Sequence, residues 1–138
     1  MNILFFLTPK QDVNYIYEDF TLRQTLEKMR AHRYAAVPIL KRSGEYVGTL
    51  TEGDLLWGIT EKYSLDMRKA EQTMVMDLPR YTVNEPVNVE TEMDDLIAKT
   101  LNQNFVPVID DRGVFIGIVT RRRVIQYLYE RAAGQSGK

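Results

Sequence analysis

Residues 48–54 read Gly48-Thr49-Leu50-Thr51-Glu52-Gly53-Asp54, and the fold turns on this stretch. An apolar run, Tyr46 to Leu50, leads in, and Leu55, Leu56 and Ile59 lead out. The first run has strand character and the second has helical spacing, so Thr51 falls where a helix N-cap belongs. Asp54 follows three residues later, the spacing of a Ser/Thr-x-x-acid capping box. A helix start with free backbone N–H groups is also a place where phosphate can sit. The chain makes the same turn again 69 residues on, at Gly117 to Arg123.

At that spacing Val37 maps to Val106, Pro38 to Pro107, Gly44 to Gly113, Gly48 to Gly117 and Thr51 to Thr120. Val47 with Ile116, Leu55 with Val124 and Leu56 with Ile125 keep their apolar character. The helices ahead of the strands align at 71 instead, Leu22 with Met93 and Leu26 with Ile97. The second copy is therefore expected to lack two residues of the helix-to-strand loop. A repeat of this kind implies two supersecondary units that bury apolar faces together.

Taken in order, Ile3 to Leu7 is an apolar run closed by Pro9, and Val13, Tyr15 and Tyr17 alternate like a short extended segment. Thr21 caps a helix carrying Leu22, Leu26 and Met29, which ends near His32. Ala35 to Leu40 and Tyr46 to Leu50 form a hairpin about Arg42-Ser43-Gly44. Pro38 inside the first strand argues for an edge position or a bulge. Within the connector, Leu65 to Glu71 suits a short helix, and Met74-Val75-Met76 is an apolar plug. Pro79 and Pro86 keep the next stretch extended. The pattern then repeats, ending in a small polar tail, Ala132 to Lys138.

Composition narrows the chemistry. With 138 residues, 44% hydrophobic and 27% charged, a packed core is expected. The net charge of −1 gives no global pull towards nucleic acid or an anionic membrane. There is no cysteine, which excludes disulfides, thiolate zinc sites and thiol nucleophiles and fits a reducing cytoplasm. The five-residue apolar run at the N-terminus is too short for a signal peptide or a membrane span. One histidine, His32, and three serines, Ser43, Ser64 and Ser136, assemble no triad or transition-metal site, so an enzyme is not expected.

The repeated apolar-Pro-apolar strand, Gly turn and Gly-x-x-Thr-x-x-Asp helix entry resemble a CBS domain, and two in tandem resemble a CBS pair, or Bateman module. The resemblance covers Val13 to Tyr129. It implies an α+β fold of two pseudo-symmetric β-α-β-β-α repeats packed through their sheets, commonly assembled as a homodimer. It also implies a regulatory adenosine ligand (AMP, ADP, ATP, S-adenosylmethionine or cyclic di-AMP) in clefts between the repeats, no catalytic cofactor, and an unidentified protein target. On this reading residues 1–12 are a lead-in, 13–63 the first repeat, 64–80 a connector, 81–131 the second repeat and 132–138 a flexible tail. The chain is similar to small stand-alone bacterial CBS pairs, some of which are cyclic di-AMP receptors. Asp77-Leu78-Pro79-Arg80, Asn84-Glu85-Pro86 and Gly117 through Arg122 are the residues most like that group.

The residues of interest follow from the chemistry and the resemblance together. Thr51 and Asp54 are either a plain capping box or, as the resemblance implies, the phosphate and ribose contacts of a nucleotide. The second copy keeps Thr120 but has Arg123 at the Asp position, within Arg121-Arg122-Arg123. Three cations in a first helical turn oppose the helix dipole at roughly 0.3–1 kcal/mol each. They need anionic partners, with Asp110, Asp111 or carboxylates across a dimer as one source. The alternative is a phosphate clamp for a ligand with several phosphates. The resemblance places Tyr34, Ala35, Ala36, Val37 and Pro38, and Phe105, Val106 and Pro107, along the base pocket. Tyr34 or Phe105 would stack on the base, and Asn14 would offer it a hydrogen bond. For each of these, plain core packing is the competing reading.

Overall fold

The computed structural model describes residues 2–32, 35–62, 67–80 and 84–136. Twelve regular elements follow one another in these residues. They are β1 (Thr8–Pro9), β2 (Ile16–Tyr17), α1 (Leu22–His32), β3 (Ala36–Leu40), β4 (Tyr46–Thr51), α2 (Glu52–Lys62) and α3 (Met67–Gln72), then β5 (Val87–Asn88), α4 (Met93–Thr100), β6 (Phe105–Ile109), β7 (Phe115–Thr120) and α5 (Arg121–Ser136). The β-α-β-β-α order appears twice, as β2-α1-β3-β4-α2 and as β5-α4-β6-β7-α5. The chain divides into two compact units, residues 14–83 and residues 1–13 together with 84–138.

The hairpins repeat down to single hydrogen bonds. The Lys41 N–H donates to the Glu45 carbonyl and the Asp110 N–H to the Val114 carbonyl, both at 2.9 Å. Each turn closes on a glycine of positive φ, 99° at Gly44 and 82° at Gly113, a conformation open to glycine at little cost. Where each hairpin meets its helix, the Glu52 N–H donates to the Ala35 carbonyl and the Arg121 N–H to the Asn104 carbonyl. The register slips at equivalent places, between Ile39 and Leu40 and between Val108 and Ile109.

The prolines are not on edge strands. β3 lies between β2 and β4, and β6 between β5 and β7. The missing proline N–H is tolerated because the parallel partner is so short. β2 pairs only with Ile39 and Leu40, and β5 only with Val108 and Ile109, so Pro38 and Pro107 lie just beyond their reach. The bulge expected beside each proline is present, one residue further along.

The shortening of the second copy shows in its helix, where α4 has eight residues and α1 has eleven, three more. The C-terminal helix runs on to Ser136, through most of the stretch whose composition reads as a tail. Ala132 and Ala133 are strong helix formers, which favours that continuation.

The cores show how far the repeat extends. In the unit of residues 14–83, Ile16, Leu22, Met29, Val37, Ile39, Leu50 and Leu55 are buried together with Ala70, Val75 and Leu78 of the connecting stretch. In the other unit, Val87, Leu96, Val106, Val108, Val119 and Val124 are buried with Ile3 and Phe6. Ile3 corresponds to Val75 and Phe6 to Leu78, and both pairs flank a single 3-10 turn. Each such side chain contributes roughly 1.5–3 kcal/mol when fully buried. The N-terminal segment also adds a strand, since β1 pairs antiparallel with β7, Thr8 opposite Ile118 and Pro9 opposite Gly117.

Candidate functional site

Thr51 and Asp54 form the complete capping box that their spacing predicts. Asp54 Oδ2 accepts the Thr51 N–H at 3.0 Å, and Thr51 Oγ1 accepts the Asp54 N–H at 3.1 Å. Ala36 lies across the ladder from Thr51, and the Ala35 carbonyl holds the first N–H of α2. Ala35, Ala36, Thr51 and Asp54 therefore gather at one end of the β3–β4 hairpin. Ala35 is exposed and Ala36 half-buried, whereas Asp54 is only 1% exposed. A ligand hydroxyl reaches that carboxylate only after local rearrangement. Val37 and Pro38 are buried. Asn14 is half-buried two residues ahead of β2. Tyr34 lies outside the described residues.

One cation stands beside this hairpin. The Arg80 guanidinium rests over Gly48 of β4, 3.4 Å from where a Cβ would lie, and donates to the Met76 sulfur at 3.3 Å. Next to it the Tyr46 hydroxyl and Thr49 Oγ1 are 2.7 Å apart. Burial pushes the Tyr46 phenol up to about 12, against the smaller opposing pull of that hydrogen bond and of the Arg80 charge. In the sequence Arg80 stands out only through the resemblance of Asp77-Leu78-Pro79-Arg80 to the cyclic di-AMP receptor group, with no site role given to it.

The second copy keeps half of the box: Thr120 Oγ1 accepts the Arg123 N–H at 3.2 Å, with no carboxylate to answer it. The three arginines diverge. Arg121 turns back, and its Nε donates to the Thr100 carbonyl at 2.7 Å, at the C-terminal end of α4 where the helix dipole is negative. The Arg123 guanidinium lies 5.6 Å from the centre of the Phe6 ring, a cation–π distance. Arg122 is exposed and makes no ion pair among the described residues. Asp110, one expected partner, is occupied otherwise. Its Oδ1 accepts the Val114 and Arg112 N–H groups, which hold its carboxyl below the usual carboxylate range. Among the described residues, Arg121 meets a carbonyl and Arg123 an aromatic ring. Phe105 is 7% exposed and Val106 and Pro107 are buried, with Phe105 opposite Thr120 in the ladder.

Behind Phe105 lies a polar cluster that the sequence did not flag. Gln103, 6% exposed, joins its side-chain amide to both backbone groups of Glu85, and Asn84, 7% exposed, reaches the Phe105 carbonyl at 3.5 Å. Lys99 Nζ meets Glu85 Oε2 at 2.7 Å, and this contact keeps the Glu85 carboxyl below its ordinary value. Among the described residues there is no group of three histidine, cysteine, aspartate or glutamate side chains able to hold a metal. No described helix is long and apolar enough to cross a membrane.

The CBS domain family model matches residues 7–61 and 81–130, most of the chain. The chain belongs to the CBS domain family. Among CBS relatives, the cyclic di-AMP receptor B of Bacillus subtilis is 29% identical over 128 residues, covering 89% of this chain and 83% of the receptor. An uncharacterised protein of Methanocaldococcus jannaschii is 26% identical, covering 82% of this chain and 84% of its own length. The same module also occurs in longer chains: the match spans 49% of an uncharacterised protein of Methanopyrus kandleri. The fold matches that of Listeria monocytogenes CbpB in complex with cyclic di-AMP, with a TM-score of 0.82, 18% identity and coverage of 95% and 97%. It also matches CBSX2 in complex with AMP, with a TM-score of 0.73, 24% identity and coverage of 99% and 98%. The mixed α/β architecture is thus that of a CBS pair.

Proposed function

We propose that this protein is a regulatory module that binds an adenine nucleotide and signals to a partner protein through nucleotide-dependent conformation or dimer packing. The observation that carries this reading is the Thr51–Asp54 box beside the exposed Ala35. The Thr51 hydroxyl stands there for phosphate, and the Asp54 carboxylate for ribose hydroxyls, in a CBS chain. On this reading Asn14, Tyr34, Ala35, Ala36, Val37 and Pro38 are assigned to the base side of the first site. In the second site Phe105, Val106 and Pro107 stand on the base side, and Thr120, Arg122 and Arg123 face phosphate. Arg121 serves the end of α4 instead. Coupling requires that the nucleotide prefer one of two arrangements of the protein.

A second reading, a cyclic di-AMP receptor, is favoured by the Bacillus subtilis relative, which is similar along nearly the whole chain. The paired arginines after Thr120 suit a ligand with two phosphates. Calorimetric titration of the full chain with AMP, ATP and cyclic di-AMP separates the readings. Tightest binding of AMP or ATP supports the first, and tightest binding of cyclic di-AMP the second. Silence from all three, with no thermal shift, leaves a ligand-free interaction scaffold and removes both.

Assembly as a homodimer fits the exposed apolar residues that recur on the repeat-equivalent helices, Leu56 and Trp57 on α2 and Ile125 and Tyr129 on α5. Sedimentation equilibrium tests it, and a monomer at tens of micromolar argues against it. The protein acts in the cytoplasm, on this account, as a binding module and not an enzyme, with no nucleic acid or membrane partner.

A further inference from the structure

The buried amide of Gln103 makes a two-point pair with the backbone of a single residue, Glu85. Its Oε1 accepts the Glu85 N–H at 3.1 Å, and its Nε2 donates to the Glu85 carbonyl at 3.1 Å and to the Phe105 carbonyl at 3.3 Å. Phe105 stands opposite Thr120, and the Asn104 carbonyl takes the Arg121 N–H at 2.8 Å. The pair therefore sits at the end of the β6–β7 hairpin where α5 begins, beside the residues assigned to phosphate. An acceptor next to an amino donor in one plane is also the hydrogen-bonding edge of adenine, a ring nitrogen beside N6. A planar carboxamide and an adenine edge are interchangeable partners for a residue whose backbone offers one N–H and one carbonyl on the same side.

We propose that Gln103 stands in for adenine. Its carboxamide occupies the Glu85 backbone in the unliganded protein, and an adenine nucleotide entering the second repeat displaces it to read that backbone itself. The inference rests on the adenine-nucleotide reading above. Displacement exchanges hydrogen bonds one for one, so the ligand gains little from them, and the second site binds more weakly than a site already open. In the sequence the stretch of the first repeat that matches Gln103 is His32-Arg33-Tyr34, which carries no carboxamide. The two repeats then fill in order, the first at low nucleotide concentration and the second only at high. The second site becomes a built-in threshold.

The test uses the full chain, with AMP as the probe. Gln103→Ala frees the Glu85 backbone, and Gln103→Met frees it while keeping the side-chain bulk. Both are expected to tighten the weaker of two calorimetric affinities about tenfold and leave the stronger one unchanged. In the wild-type protein, the Gln103 carboxamide and Glu85 amide NMR signals should shift only at the second, weaker step. A structural latch behaves differently: both variants melt at lower temperature, the weaker affinity stays the same or worsens, and the carboxamide signals hold still at saturation. That result overturns the inference while the wild-type binding itself remains. If the wild type binds neither AMP, ATP nor cyclic di-AMP, the functional reading falls, and this inference falls with it.

Discussion

Replacing one of two repeat-equivalent glycines should unfold the N-terminal strand, and replacing the other should not. A Cβ at Gly117 would lie 2.2 Å from the Thr8 carbonyl oxygen and 2.9 Å from Leu7 Cδ1, at a φ of +156°. The first clash is with backbone, so β1 must retreat by about an ångström before an ordinary contact is restored. That breaks the β1–β7 pairing, at about 0.5–1.5 kcal/mol for each hydrogen bond lost. It also loosens Ile3 and Phe6 from the core, each worth roughly 1.5–3 kcal/mol if fully exposed. Partial release gives an expected loss of about 2–4 kcal/mol for Gly117→Ala, or a melting temperature lower by roughly 10 °C for a chain of this size. A Cβ at Gly48 meets only the Arg80 guanidinium, at 3.4 Å, the far end of a flexible side chain. Gly48→Ala should therefore stay within about 1 kcal/mol of the wild type. Circular-dichroism melts of both variants, with limited proteolysis of the N-terminal segment, read the difference. Equal losses from the two substitutions, or a Gly117→Ala protein that melts like the wild type, refute the role given to β1.

Two further outcomes follow from the caps and from Tyr46. Thr51→Ala and Thr120→Ala each remove one side-chain oxygen that accepts a helix N–H, so urea titration should show comparable losses of about 0.5–2 kcal/mol; a loss from only one of the two contradicts the shared cap. The Tyr46 phenol is held neutral by burial, with its value pushed up to about 12. The folded form therefore has its full contribution from Tyr46 below pH 10, and loses it as pH rises from the unfolded value of 10 towards 12. Ultraviolet difference titration of the wild type against Tyr46→Phe should show Tyr46 ionising late, and Arg80→Ala, which removes a charge that favours the phenolate, should delay it further.

What the sequence discloses here is what repeats locally. The hairpins, their positive-φ glycines and both helix starts recur at one spacing, so they stand out without any knowledge of long-range contacts. The pairing of Thr8-Pro9 with β7 does not, because two residues, one of them a proline, carry no strand pattern. The correspondence of Ile3 with Val75 and Phe6 with Leu78 was hidden because the helix deletion shifts the register. The prolines misled about edge position since nothing local tells how short the parallel partner is. Among the site residues, Thr51 and Asp54 pair as their spacing predicts, while the arginine run splits three ways. Arg121 found a helix-end carbonyl and Arg123 an aromatic ring, partners brought near only by folding. Gln103 is an unremarkable polar residue in the sequence. Its burial against the Glu85 backbone alone gives it meaning.

The central claim is that the first repeat binds an adenine nucleotide through Thr51 and Asp54. The most direct measurement is the AMP dissociation constant of the wild type and of Asp54→Ala, each confirmed to be folded at the assay temperature. Loss of the cap costs only about 1 kcal/mol of stability, so a folded variant is expected. The account predicts measurable AMP binding that weakens at least tenfold in the variant. AMP affinity unchanged by Asp54→Ala would contradict it.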